Sequence, residues 1–390
     1  MDTTNSKHAT IGLTLIRLIT LAFFAQIYLS LNLWFPIDRS YPCIPMLPWI
    51  NIALNEVLTW GFSLLFLTSL VLASTSLKQF RFASLVVALG SLSILVLADV
   101  NRFQAWVYIY FVLLSIIAWN ERQEQPKKLL VTLQFVLAMV YFWTGFQKLN
   151  VQFVTDVYPW LAGIFDVTKP LKPHLFLGYG IGLGEVLLGC FLLFYRTFKL
   201  GIILGALLHI GILILLIKDQ WNSVVYPWNI AMIGFLFALF WKQEATEHKS
   251  ILDKELPHYF IIGLFGIVPF LDFFKVVPHC LALGMYSGTS IECSLIFKDE
   301  AAESCVPRML WDDLLYQSDT ESNLSLDDWG ISDLNVPPFA SKYVYTAVAR
   351  KFCTCAVNYD GYVEFCIPYR WTDKDSIYTI PCKDILMQPL

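Results

Sequence analysis

The sequence predicts an all-α polytopic membrane bundle of about nine transmembrane helices, followed by a small extracytoplasmic domain that is β-rich and Cys-rich. Three observations carry this. Hydrophobic residues make up 57% of the chain and charged residues only 15%, against about 25% charged in soluble domains. The apolar residues come in runs, such as 203–217 and 60–73, inside blocks close to the roughly 20 residues needed to cross about 30 Å of hydrocarbon. After residue 284 the character changes to polar, acidic and rich in cysteine. We therefore divide the chain into a membrane domain, 1–284, and an outer domain, 285–390.

The predicted spans are 10–34, 51–75, 82–98, 104–119, 128–147, 175–195, 198–217, 224–241 and 257–274. The first run is too long for a signal peptide and lacks a small-residue cleavage site, so it reads as a retained span. Trp and Tyr cluster near the ends of the runs, as in interfacial belts. Residues 151–174 are broken by Pro159, Pro170 and Pro173 and read as an interfacial or re-entrant segment, where Trp160, Asp156 and Asp166 can roof a cavity. The net charge of −4 offers no basic face for nucleic acid.

Loop charges orient the bundle. One set of loops holds Lys7, Lys78, Arg81, Arg122, Lys127, Lys128, Arg196, Lys199, Lys242, Lys249 and Lys254. The opposite set holds Arg39, Arg102, Lys148, Lys169, Lys172 and Lys218. The eleven-to-six bias predicts a cytoplasmic N-terminus, and nine spans then put the C-terminal domain outside.

The cysteines agree. Cys293, Cys305, Cys353, Cys355, Cys366 and Cys382 lie in the tail, and Cys43 and Cys280 fall on the same predicted side. Such usage suits an oxidising compartment. At least two disulfides are expected among the six tail cysteines, and Cys43 is a further candidate for tying the first outer loop to the tail. No histidine lies in the tail and Cys353-Thr-Cys355 lacks metal-ligand spacing, so no metal is expected. Segments 343–349, 361–367 and 377–380 read as strands, and the acidic stretch 299–328 as a loop. Asn323-Leu-Ser325 matches a glycosylation sequon.

Ionisable groups in a bilayer are expensive and mark candidate sites, although many merely pair or snorkel. Arg17 lies within the first span and is expected to pair with an acidic group or meet substrate. Asp99, Asn101, Arg102 and Gln104 form a polar cluster between spans three and four, where Asp99 and Arg102 either pair at the interface or line an outer cavity. Lys148 ends the fifth span; a desolvated lysine can act as a base, and one at a boundary can equally snorkel. Glu185 and His209 lie mid-span in the next two helices. Three such groups in successive helical elements can face one cavity.

The order Tyr141-Phe142-x-x-Gly145-x-x-Lys148-Leu149, then Glu185, then His209, resembles the transmembrane part of vitamin K-dependent γ-glutamyl carboxylase and the related bacterial horizontally transferred transmembrane (HTTM) proteins. The cluster at 99–106, the stretch Gly284-Met-Tyr-Ser-Gly288, and 334–339 followed by Arg350, Lys351 and Cys353 also resemble bacterial members. The resemblance implies a reduced quinone (vitamin K or menaquinone type) as cofactor. It gives Lys148 the role of base, and His209 joins it as a candidate catalytic residue. Glu185, Asp99, Arg102, Gln104 and Arg17 are candidate substrate- or cofactor-binding residues. Two departures stand out: there is no histidine in 101–106, and the outer domain is small and acidic.

Two functions compete. One is a quinone-dependent carboxylase or oxidoreductase acting on an extracytoplasmic peptide or small substrate. The other is a non-enzymatic membrane protein that matures, exports or gives immunity to a secreted peptide, or scaffolds a partner. A transporter is disfavoured because the sequence shows no repeated halves with broken helices.

Overall fold

The computed structural model of this chain describes residues 3–49, 52, 54–75, 77–123, 126–241, 256–297, 305–313, 315–318, 321–356 and 361–387. It is mostly helical, with a small antiparallel sheet near the C-terminus. The helices are α1 (Thr3–Leu29), α2 (Leu31–Trp34), α3 (Glu56–Ser74), α4 (Lys78–Ala98), α5 (Ala105–Gln123), α6 (Pro126–Gln147), α7 (Tyr158–Gly163), α8 (Phe176–Phe191), α9 (Phe198–Asp219), α10 (Val225–Phe240) and α11 (Leu256–Ile262). A π-turn and a 3-10 turn carry α11 on to Phe274.

Among the described residues, each of the nine predicted segments contains helix, but not nine helices of spanning length. Five stretches are long and apolar enough to cross a bilayer: Thr10–Leu29, Glu56–Ser74, Lys78–Ala98, Leu129–Gln147 and Tyr195–Asp219. They mark the chain as a membrane protein. Three further apolar stretches, Phe176–Phe191, Val225–Phe240 and His258–Phe274, are shorter. The segment 151–174 forms short helical turns and no long helix. Lys242, Lys249 and Lys254, used to orient the loops, lie outside the described residues.

Helices α6 and α8 touch backbone to backbone. Gly145, Gly182 and Gly189 sit in their contact, and a methyl on Gly145 would meet the Gly182 carbonyl and the Val186 amide, each at 2.5 Å. Small residues permit such approach in membrane helices. Gly182, Glu185 and Gly189 follow helical spacing, so the face of α8 that touches α6 also carries Glu185.

The tail sheet runs β2 (Leu315–Ser318), β3 (Glu321–Ser325), β1 (Glu292–Phe297), β4 (Gly361–Pro368), β5 (Asp375–Pro381), all antiparallel. Helices α12 (Leu326–Leu334), α13 (Lys342–Ala356) and α14 (Cys382–Met387) complete it. The expected strands at 361–367 and 377–380 are β4 and β5. The segment 343–349 is not a strand: it opens α13. Its β-branched and aromatic residues suggest a strand, but Val344, Tyr345, Val348, Ala349, Phe352, Cys353 and Ala356 are buried at helical spacing. The stretch 299–328 is not simply a loop, since it contains β2, β3 and the start of α12. The sequon residue Asn323 sits within β3, paired with Ile296.

Two disulfides join Cys305 to Cys355 and Cys353 to Cys382. Cys353 and Cys355, two residues apart on α13, point to different sides of the helix and so find different partners. These bridges mark the tail as belonging to an oxidising compartment. Cys43, Cys293 and Cys366 are free thiols, contrary to their candidacy as disulfides. Cys293 lies opposite Phe365, so Cys366 falls on the other face of the sheet.

Polar contacts fasten the tail to the bundle. Asp333 accepts the amide N–H of Ser40 and of Tyr41, at 2.9 and 2.6 Å. Arg370 donates to Asp272 at 2.6 Å and to the Gln147 carbonyl at 3.3 Å. Gln104 donates to the Pro337 carbonyl at 2.9 Å.

Candidate functional site

A cavity of about 600 Å³ lies between the bundle and the tail. Lys148, Glu185 and His209 all line it. Gln104 and Trp160, also singled out in the sequence, stand in its wall.

At one end, Lys148 Nζ donates to Glu185 Oε2 at 2.7 Å and to the Thr144 carbonyl at 3.3 Å. Lys148 is buried, so this is not a snorkelling lysine. The glycine contact between α6 and α8 sets the pair. Further along, Tyr141, His209 and Asn229 form a hydrogen-bonded chain. Asn229 Nδ2 donates to the Val225 carbonyl at 2.8 Å, which leaves its Oδ1 as acceptor. His209 Nδ1, 2.8 Å from that oxygen, therefore carries the proton. His209 Nε2 is then the acceptor for the Tyr141 hydroxyl at 2.7 Å. The neutral tautomer of His209 is fixed, and a phenol oxygen lone pair remains available to the cavity.

The roof belongs to the tail and to the segment after α11. Gly284, Met285, Tyr286, Ser287 and Gly288 line it, as do Glu292, Asp327 and Pro337–Ala340. Gly288 has φ +72°, and its backbone runs against Gln152 and Phe153; glycine adopts that conformation at no steric cost. Burial pushes the Asp327 carboxyl up to about 7, with the Tyr345 hydroxyl at 2.8 Å pulling it back and Glu292 adding to the rise.

The remaining candidates stand elsewhere. Asp99 pairs with Arg39 at 2.7 Å and accepts from Asn101. Burial alone would raise its carboxyl, but Arg39 and Arg102 hold it below the usual range. Arg102 donates to the Leu33 and Leu95 carbonyls at 2.8 and 2.9 Å. Neither lines the cavity. Together they tie the loop before α3 to the end of α4, and their partners secure the loop rather than a ligand. Arg17 is on the exposed surface, where it donates to the Ser74 carbonyl at 3.1 Å. There it caps the negative end of α3, away from the expected acidic partner. Asp166 is exposed and bonded to Lys169.

One arrangement imitates a nucleophile triad. Ser287 Oγ lies 3.0 Å from His279 Nε2, and His279 Nδ1 lies 3.5 Å from Asp272. Nε2 also faces the Gly284 carbonyl at 2.6 Å. A carbonyl only accepts, so Nε2 carries its proton and cannot take one from Ser287. The cluster serves to fold residues 279–289 over the cavity.

Sequence reasoning passed over Asn229, Asn222, Glu292 and Asp327. Asn229 had a signal, being a lone amide within an apolar helix. Glu292 and Asp327 had none, because only the docking of the tail brings them here. The chain matches no family model, no curated protein and no solved structure.

Proposed function

We propose that this chain is a membrane-embedded enzyme acting at the outer face of the bilayer, with proton-transfer chemistry on an amphipathic quinone-type cofactor, as the resemblance to γ-glutamyl carboxylase implies. One observation carries the reading: Lys148, Glu185, His209 and Tyr141, from three helices of the bundle, converge on one cavity with apolar walls. Nine spans, a cytoplasmic N-terminus and an extracytoplasmic tail belong to this proposal. Under that topology the cavity lies toward the outside, below the tail.

A reduced quinone fits the donor set. Its ring suits walls such as Trp106, Val140 and Leu208, and its hydroxyls suit the polar groups of α6, α8 and α9. Bound there, it would supply the reducing equivalents for reaction with O2. Lys148 is the ammonium partner of a carboxylate, so its service as a base requires its proton to pass first onto Glu185. Nζ is then neutral and takes a hydroxyl proton. Tyr141 and His209 offer a second route: the phenol oxygen accepts a proton while its own moves to Nε2.

The alternative is a scaffold, favoured by the completeness of the Lys148–Glu185 pair, which needs no ligand. The test is hydroquinone oxidation by O2, followed by absorbance with the full chain in nanodiscs. The enzyme reading expects turnover by the parent and its loss in His209→Gln with the fold retained. A parent that neither binds nor oxidises menaquinol or vitamin K hydroquinone leaves the scaffold.

A further inference from the structure

Helices α8 and α9 are joined through a short turn, Tyr195–Thr197, and they part as they run from it. Near the turn they touch. A methyl on Gly201 would meet Leu192, just past the end of α8, at 2.8 Å, and one on Gly205 would meet Leu188 at 3.6 Å. Both glycines are buried. The two contacts set an antiparallel register, in which each residue forward along α9 is one back along α8. Glu185 then falls level with Leu208, and Ile181 level with Ile212. Seven residues make about two turns, so Leu208 and Ile212 repeat the face of Gly201 and Gly205. Yet both are only half-buried, and both line the cavity, as Glu185 does.

The cause is where the rest of α8 leans. Gly182 packs on Leu149 and the Gly145 carbonyl, and Gly178 on Tyr158 and Val154. Ile181 joins the apolar cluster of Phe153, Val154 and Tyr158. The far half of α8 is thus drawn toward α6 and α7, which leaves a seam beside α9. At one end the seam stops at the Gly205–Leu188 contact. At the other it is bridged by α7, whose Trp160 Nε1 donates to Asp219 at 3.2 Å. Its outer flanks carry Leu183, Leu187, Leu204 and Leu207, all exposed. The stretch Tyr195–Asp219 is long and apolar enough to cross a bilayer, so these leucines face hydrocarbon.

The seam therefore joins two chemistries: Lys148, Glu185 and His209 on the cavity side, and lipid on the other. A polar head gains by reaching the first, and an apolar chain gains by staying in the second. We propose that the cavity opens sideways into the bilayer between α8 and α9 and takes an amphiphile from the lipid, its head beside Lys148 and His209 and its apolar chain passing Leu208 and Ile212. Resting on the reading of the cavity as a substrate site, this opening sets the class of what arrives there: a molecule that dissolves in the membrane before it binds. Leu208 and Ile212 are one turn apart, about 6 Å along the helix axis, and they are the side chains that the chain must cross.

The test is photolabelling of the full chain in nanodiscs with two probes that share a benzophenone head. One carries a hexadecyl chain, and the other a methyl group in its place. Met232 is buried and lines the cavity, so label located on Met232 by fragment mass reports a head inside. Label on Leu187 reports the lipid-facing surface and sets the scale. The hexadecyl probe is expected to label Met232 saturably, and the methyl probe more weakly at equal concentration. Ile212→Trp narrows the seam and should lower the Met232 label about ten-fold while label on Leu187 stays. Thermal melting checks that this chain folds; if it does not, Leu208→Ala is used, which widens the seam and should raise the Met232 label. Label confined to the lipid-facing surface, equal label of Met232 by both probes, or a Met232 label unmoved by the substitution used would each overturn the proposal. The probes replace no step of hydroquinone oxidation, so the two readings fail separately. A chain that takes up the hexadecyl probe but oxidises no quinol loses the redox reading alone. One that oxidises quinol but leaves Met232 unlabelled loses the opening alone.

Discussion

Lys148 Nζ lies 2.7 Å from Glu185 Oε2, at the level where α6 and α8 come into backbone contact. The pair exists because glycines remove the side chains that would keep the two helices apart. Site and packing are therefore one arrangement, and substitutions can separate their contributions.

Removing one partner strands the other charge. Lys148→Ala should lower stability by about 3–5 kcal/mol. Replacing both, Lys148→Met with Glu185→Leu, should recover most of that loss, because a well-packed apolar pair can equal a buried ion pair. Thermal melting in nanodiscs reads the stability, and hydroquinone oxidation reads the site. A doubly substituted protein that melts like the parent and keeps full turnover would remove Lys148 from the chemistry.

The glycine contact makes a second case. Gly145→Ala would place a methyl within 2.5 Å of backbone atoms on α8, so the helices must part at a cost of about 1–3 kcal/mol. Gly180→Ala, on the same α8 but with nothing within 4 Å, should be neutral or stabilise by up to about 1 kcal/mol through helix propensity. Equal melting temperatures for the two variants would contradict the packing described.

Asp327 should make stability fall as pH rises. Its carboxyl stands at about 7 in the fold against 3.8 ordinarily, so the folded protein binds the extra proton between those values. Stability contributed by this group is full below about pH 4, declines toward pH 7 and is absent above it, a change of at most about 4 kcal/mol. Asp327→Asn keeps an acceptor for Tyr345 and removes the charge. It should melt higher than the parent at pH 8 and show no such gain at pH 4. An unchanged difference across that range would refute the shift.

Peptide mapping without reduction should find Cys305 linked to Cys355 and Cys353 linked to Cys382. Cys43, which is exposed, should alkylate before the buried Cys293. Breaking either bridge should cost about 2–4 kcal/mol. Recovery of a Cys43 crosslink to the tail would contradict the arrangement.

The membrane domain was legible because apolar run length is a strong signal, and the helices fall where the runs predict. Lys148, Glu185 and His209 were legible for the same reason, as ionisable groups stand out against lipid-like surroundings. Arg17 misled because depth along a helix does not reveal which side of the helix a residue occupies. Asp99 and Arg102 misled because polar groups in a tight connection bind carbonyls and one another as readily as ligands. The strand assigned to 343–349 failed on period: seven residues rich in Tyr and Val fit both a strand and the buried face of α13. Glu292 and Asp327 were out of reach, because nothing local to the tail states where it docks.

The Asp333 clamp has a consequence for biosynthesis. Ser40 and its acceptor are 293 residues apart, and synthesis proceeds at about 5–20 residues per second, so the loop before α3 waits roughly 15–60 s for the group that completes its hydrogen bonds. During that interval the amides of Ser40 and Tyr41 must be satisfied by water or by a chaperone. A nonsense mutation that removes only the last sixty or so residues would therefore be felt at the beginning of the chain, as a first hairpin that inserts on time and is never finished.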